Sequence, residues 1–282
     1  MGDGKTRNIK LTVEYDGSAY AGWQEQRDCP TVQGELRRAV EQVVRHPVEL
    51  QGASRTDRGV HALGQIANFQ TERDIPARNL RLAINTHLPD DIVVVSGDEV
   101  DTAFDSRFSA VGKHYRYTFF CSPTRSAFHA RWTSRCADEL DVSAMRRAGR
   151  HLVGENDFAP FRNRSKQEPP NTIRTVYAVE VSEEARFVFI DVVGKSFLYN
   201  MVRVIAGTLL DVGVGKLEPD AVLRVFQSGE RNAAGPTAEA QGLCLHEVFY
   251  DEARLSVVER DVREGALSGA RTRSPLLGPP PG

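Results

Sequence analysis

Apolar and polar positions alternate with period two over residues 9–15, where Ile9, Leu11, Val13 and Tyr15 interleave with Lys10, Thr12 and Glu14. That pattern predicts a half-buried strand, ended by the turn signal Asp16-Gly17. From Thr31, placed to cap a helix, Val32, Leu36, Ala39, Val40, Val43 and Val44 recur at helical spacing while Glu35, Arg37, Arg38 and Glu41 face away. Short alternations at residues 48–50 and 65–69 predict two further strands, with a loop between them. A second helix is expected over residues 76–88 and a strand over 92–95. The second half reads the same way. Strands are expected at 113–119, 175–181, 187–193 and 243–250, with helices from Asp141 to Gly154, over 197–210 and over 219–226.

This alternation of elements predicts an α+β fold of two similar domains, each a mainly antiparallel sheet with helices on one face. A composition shift near residue 105 divides them, giving an N-terminal domain over 1–105 and a C-terminal domain over 106–254. The chain then becomes charged and Pro-rich, so 255–282 is expected to be a disordered tail.

Composition narrows the function. At 282 residues and 40% hydrophobic content there is enough chain for one large domain or two ordinary ones. The formal charge of −2 supplies no global field for a polyanion, so any nucleic-acid site must be a local patch. Such a patch exists: residues 106–137 hold no acid but carry Arg107, Lys113, Arg116, Arg125, Arg131 and Arg135. Within it, His114, Arg116 and Thr118 share one face of a strand, and Tyr115, Tyr117 and Phe119 the other. A basic strand interleaved with aromatics suits an RNA surface, and the same rings also suit a core.

Cys29, Cys121, Cys136 and Cys244 form no Cys-x-x-Cys pair, which argues against zinc and a disulfide framework and points to a reducing cytoplasm. No apolar run approaches the roughly 20 residues of a membrane span, and no signal peptide is expected. The myristoylation-like start at residues 1–6 is short enough to arise by chance. Residues 213–216, Gly-Val-Gly-Lys, imitate a phosphate loop, but Leu210 occupies the position of the glycine that the motif needs. There is no Gly-x-Ser-x-Gly elbow and no histidine pair at ligand spacing.

The loop between the two short strands carries the chemistry. Its Asp57 stands between Arg55 and Arg58, with Gly52 and Gly59 allowing tight turns. Nearby positive charge favours the ionised carboxylate, a usable nucleophile or base. A turn cap paired with Arg55 accounts for the same spacing, and both readings stay open. In the apolar helix over 197–210, Arg203 is the one charge, and its burial calls for an anionic partner, either a ligand or a carboxylate of its own domain.

Tyr15-Asp16-Gly17, Gly22-Trp23-Gln24, Thr31-Val32-Gln33, Arg55-Thr56-Asp57, Gly59-Val60-His61-Ala62 and Gly64-Gln65 resemble, in order, the TruA family of tRNA pseudouridine synthases. So do Arg107-Phe108-Ser109-Ala110, Tyr115-Arg116-Tyr117, residues 154–158, Lys195-Ser196-Phe197, Met201-Val202-Arg203, Gly235-Pro236-Thr237-Ala238 and Gly242-Leu243. The likeness covers about residues 9–250. It implies isomerisation of uridine at tRNA positions 38, 39 and 40, no metal or organic cofactor, a homodimer, and an active-site cleft between the two domains. It makes Asp57 the catalytic aspartate, Arg203 its basic partner, Tyr115 the ring packed on the uracil, and Arg55 a side chain holding the base out. Arg58, Arg116 and Leu243 are further substrate-binding candidates. The sequence departs from the family pattern at Ser54, Arg58, Glu239 and Cys244. Two rival readings keep the same residues: a tRNA-binding protein without turnover, and a nucleoside hydrolase, for which Glu49 is the one other acid within ten residues of Asp57.

Overall fold

A computed structural model describes residues 6–164 and 168–265. They divide into two compact units, one running to Val111 and including Cys244–Tyr250, the other comprising Gly112–Leu243 and the chain from Asp251 on. The expected boundary at 105 therefore falls six residues later, because Asn68 Oδ1 accepts from the Ser106 amide (2.9 Å) and holds that stretch in the first unit. Cys244–Tyr250 joins the first unit although it follows the second in sequence.

In the first unit β1 (Arg7–Tyr15) lies antiparallel between β3 (His61–Thr71) and β4 (Ile92–Val100), β2 (Gln51–Gly52) pairs with β3, and β10 (Leu243–Phe249) runs parallel to β3 through Cys244 and Leu245. Ile9, Leu11, Val13 and Tyr15 are buried as the alternation requires. They pack beneath α1 (Val32–Val44) and α2 (Ala77–Asn85), which bury Leu36, Ala39, Val40 and Val44 and Leu80 and Ile84 respectively. Thr31 caps α1, its hydroxyl accepting from the Gly34 amide at 3.3 Å. The strand expected at 48–50 does not form, and the Val48 amide bonds instead to the Glu41 carboxylate (3.1 Å).

The second unit has β7 (Gly154–Asp157), β8 (Ile173–Glu184), β9 (Phe187–Gly194) and β5 (Gly112–Cys121) antiparallel in that order, with β6 (Ser134–Cys136) parallel to β5. Tyr115, Tyr117 and Phe119 are all buried on one face. That face is covered by α3 (Val142–Arg150), capped by Asp141 as expected, which packs Gly149 on Val179 and Met145 on Gly213 of α4 (Met201–Gly213). The helix α5 (Ala221–Ser228) follows.

Two expectations need correction here. The helix anticipated from residue 197 starts at Met201, because Asn200 sits in the left-handed region at φ 59°, where a right-handed helix cannot continue backwards. It then extends to Gly213, so Asp211 shares it with Arg203. The tail expected from residue 255 begins instead with a helix, α6 (Glu252–Arg263), capped by Asp251. Leu255, Val258 and Val262, spaced along one stripe, are buried; Leu255 packs on Gly112, on the sheet face opposite Tyr115. Residues 266–282 of that expected tail lie outside the described residues. Among the described residues no helix is long and apolar enough to cross a membrane.

Candidate active site

The loop carrying Asp57 is held from beneath by backbone and buried side-chain hydrogen bonds. The Tyr15 and Thr56 hydroxyls share a buried bond of 2.7 Å. The Trp23 amide donates to Thr56 O (3.0 Å), and Gln65, fully buried, clamps Ser54 by accepting from its amide (3.2 Å) and donating to its carbonyl (2.7 Å). The Val60 amide closes the turn on Asp57 O at 3.1 Å. Above this base Asp57 is half-buried, and Arg55 and Arg58 are exposed. Asp57 is thus only partly buried on a backbone that is fixed, a setting that suits a positioned nucleophile or base.

Gly22 matters to that fixation. It adopts φ 107°, and a Cβ there would stand 2.6 Å from Thr56 O. Gly22→Ala is therefore expected to shift the loop, lowering the rate of any step that the Asp57 carboxylate carries out roughly 10- to 100-fold with substrate affinity little changed. Equal rates for the two proteins would show that the loop tolerates the methyl.

At the loop's far end His61 is buried, with its Nδ1 3.1 Å from the Gly17 amide nitrogen and 3.2 Å from Asp16 Oδ1. Burial pushes the Asp16 carboxyl up, but bonds from His61 and Ser18 outweigh it and hold the group well below the usual carboxylate range. The pair locks the turn after β1 against the start of β3.

In the second unit Tyr115 lies mid-strand, buried, with the Phe197 ring edge-on at 5.2 Å and 85°. Arg203 is half-buried on the first turn of α4; its Nε donates to Ala238 O (2.8 Å) and its Nη1 to Asn200 Oδ1 (3.0 Å). The Gly-Pro-Thr-Ala segment it grips is braced in turn, with Gly235 N donating to Thr208 Oγ1 (2.9 Å) and Arg231 to Gly235 O (2.8 Å) and Thr237 Oγ1 (3.2 Å). Leu243 is buried where β10 begins.

Arg116, expected on the substrate, is corrected by its surroundings. It is 4% exposed, with Nε and Nη2 each 2.8 Å from the two oxygens of Asp191, its cross-strand neighbour. His114 Nε2 meets the same carboxylate at 2.6 Å. A guanidinium so engaged is structural, and the basic run 106–137 is interrupted there: Arg107 stacks on Phe108, and Arg125, Arg131 and Arg135 stand exposed.

Two of the departures noted in the sequence, Glu239 and Ser54, have local explanations. Glu239 takes φ −60°, the value a proline would impose, and receives the Tyr117 hydroxyl on its backbone carbonyl (2.7 Å). Among the described residues the non-glycine left-handed positions are Asp28, Arg45, Ala185 and Asn200, so Ser54 needs none of glycine's freedom. Tyr15, Trp23, Gln65 and Gly22, which build the loop's base, carried no stated role in the sequence. Apart from the place of Tyr15 in the strand alternation, their signal is membership of the motifs around Asp57.

A family model described as tRNA pseudouridine synthase matches residues 11–109 and 148–251. The chain belongs to that family. Proteins named tRNA pseudouridine synthase A from Acetivibrio thermocellus and Geotalea daltonii are 44% and 46% identical over 86% of this chain and the whole of each relative. One named tRNA pseudouridine synthase A 2, from Clostridium tetani, is 41% identical over 87% of this chain and 99% of its own length. A solved Cbf5-Nop10-Gar1 complex aligns at TM-score 0.35 and 11% identity, over 84% of this chain and 57% of that one, too loosely to bear on fold or function. As a tRNA pseudouridine synthase the chain is an isomerase that converts uridine in tRNA to pseudouridine.

Proposed function

We propose that the chain acts on uridines 38, 39 and 40 of the tRNA anticodon stem-loop, in the cytoplasm and as a homodimer, with Asp57 as the catalytic carboxylate. What carries the reading is the firmly seated, half-buried Asp57, on a loop whose base is held by buried hydrogen bonds. The reaction breaks the bond from ribose C1′ to uracil N1, turns the base, and rejoins it through C5, with no atom gained or lost. A carboxylate can begin this by attack at C1′, by attack at C6, or by taking the 2′ proton to give a glycal; each route needs it ionised and in contact with the nucleotide. In the same reading Tyr115 retains the detached uracil, Leu243 adds an apolar contact, Arg55 and Arg58 hold the extruded nucleotide, and Arg203 supplies positive charge to the site. Stacking of about 1–3 kcal/mol helps offset the few kcal/mol of flipping a paired base.

The test is wild-type protein on unmodified tRNA transcripts bearing uridine at 38, 39 or 40, with pseudouridine mapped along the whole tRNA. Product confined to those positions, with no free uracil, is the expected result. Tight binding without product would mean a tRNA chaperone, free uracil a hydrolase, and product elsewhere a different site preference.

A further inference from the structure

The second unit has a cavity of about 500 Å³ that the reaction does not use, and we propose that it holds one phosphate and base of the bound tRNA, outside the reacting nucleotide. This rests on tRNA being the substrate. The cavity lies where β5 ends and the β8–β9 hairpin turns. Phe120, Phe187 and His129 form its aromatic side, each pair of rings 5.1–5.4 Å apart, and Arg125 and Arg186 stand exposed at it. Neither arginine is ion-paired among the described residues. The acids nearest along the chain are Glu183 and Glu184, both exposed on the hairpin, and neither lines the cavity.

Two guanidinium-bearing side chains lining one space with hydroxyls and aromatic rings match a nucleotide better than a small apolar ligand. Arg125 and Arg186 come from segments about 60 residues apart in sequence, so no linear basic run reveals the pair. The loop bearing Arg125 is ordered by its own bonds. Ser126 Oγ accepts from the His129 amide (3.3 Å), Ala130 N donates to Ser126 O (3.0 Å), and Thr133 Oγ1 donates to His129 O (2.9 Å). On the opposite side Ala185, at φ 53°, makes the tight turn that presents Arg186. Phe128, next in sequence to His129, does not line the cavity but is 87% exposed, a free side chain on which a flanking base can stack. Phe120 is five residues from Tyr115 along β5, about 17 Å, so a nucleotide here is a different one from any held by Tyr115.

The test measures tRNA binding over a range of salt, with Asp57→Asn as the common background so that turnover does not intervene. Adding Arg125→Ala and Arg186→Ala together is expected to weaken tRNA binding about tenfold or more and to lower the salt slope by about one. Phe128→Ala is expected to weaken tRNA severalfold and leave binding of heparin, a polyanion without bases, unchanged. In the wild-type background the double arginine variant should raise KM with kcat preserved at saturating tRNA. Unchanged tRNA affinity and slope in the arginine variant overturns the proposal, as does a Phe128→Ala variant that binds tRNA normally, which reduces the cavity to a non-specific anion patch. Failure of the wild-type protein itself to bind tRNA would instead count against the substrate assignment, so the two failures are distinguishable.

Discussion

Asp57→Asn is expected to bind tRNA within about twofold of wild type and to form pseudouridine at least about a thousandfold more slowly. The amide matches the carboxylate in shape, so the bonds of Thr56, Ser54 and Val60 that seat the loop remain. What is lost is the negative charge and the lone-pair basicity that every route for the first step requires. Single-turnover mapping of pseudouridine alongside a binding titration checks this. Retained product would remove Asp57 from the chemistry, and joint loss of product and binding would make its role structural.

The second large effect is on stability. Asp191→Ala should destabilise the protein by about 3–5 kcal/mol, because it strands two buried groups, the Arg116 guanidinium and His114, without their shared carboxylate. For a chain of this size that corresponds to a fall in Tm on the order of 10 °C, readable by calorimetry. The pH dependence follows from the same contacts. Burial raises the Asp191 carboxyl, but the Arg116 charge and the His114 bond outweigh it and hold the group well below the usual range. Its contribution is therefore complete above the unfolded aspartate value of about 4 and is lost as pH falls below that towards the folded value. Wild-type Tm should drop across this acid range, and Asp191→Ala should flatten that part of the curve. A flat wild-type curve would mean that the triad does not anchor the sheet.

The strand over residues 9–15, the Thr31 and Asp141 caps, and the apolar stripes of α1 and α2 were legible because each depends on residues a few positions apart. The Asp57 loop was legible too, as a carboxylate between arginines flanked by glycines. Its supports were not, since Tyr15 and Thr56 are 41 residues apart and nothing local pairs their hydroxyls. The start of α4 was missed because an apolar run conceals a left-handed Asn200. In α6 the stripe of Leu255, Val258 and Val262 was present, but its neighbours are charged and the helix gains its stability by packing on the sheet.

Arg116 shows where the division lies. Period-two alternation correctly put it on one face with His114 and Thr118, because side-chain direction in a strand is a local property. Whether that face meets RNA or protein depended on Asp191, brought opposite by strand pairing 75 residues later, and on α6 packing over the same face. The sequence by itself determined most of the elements, the buried stripes of α1, α2 and β1, and the family. Only tertiary structure decided which charges are neutralised inside and which remain outside for a polyanion, because the free energy of a charge is set by its solvent and its nearest opposite charge.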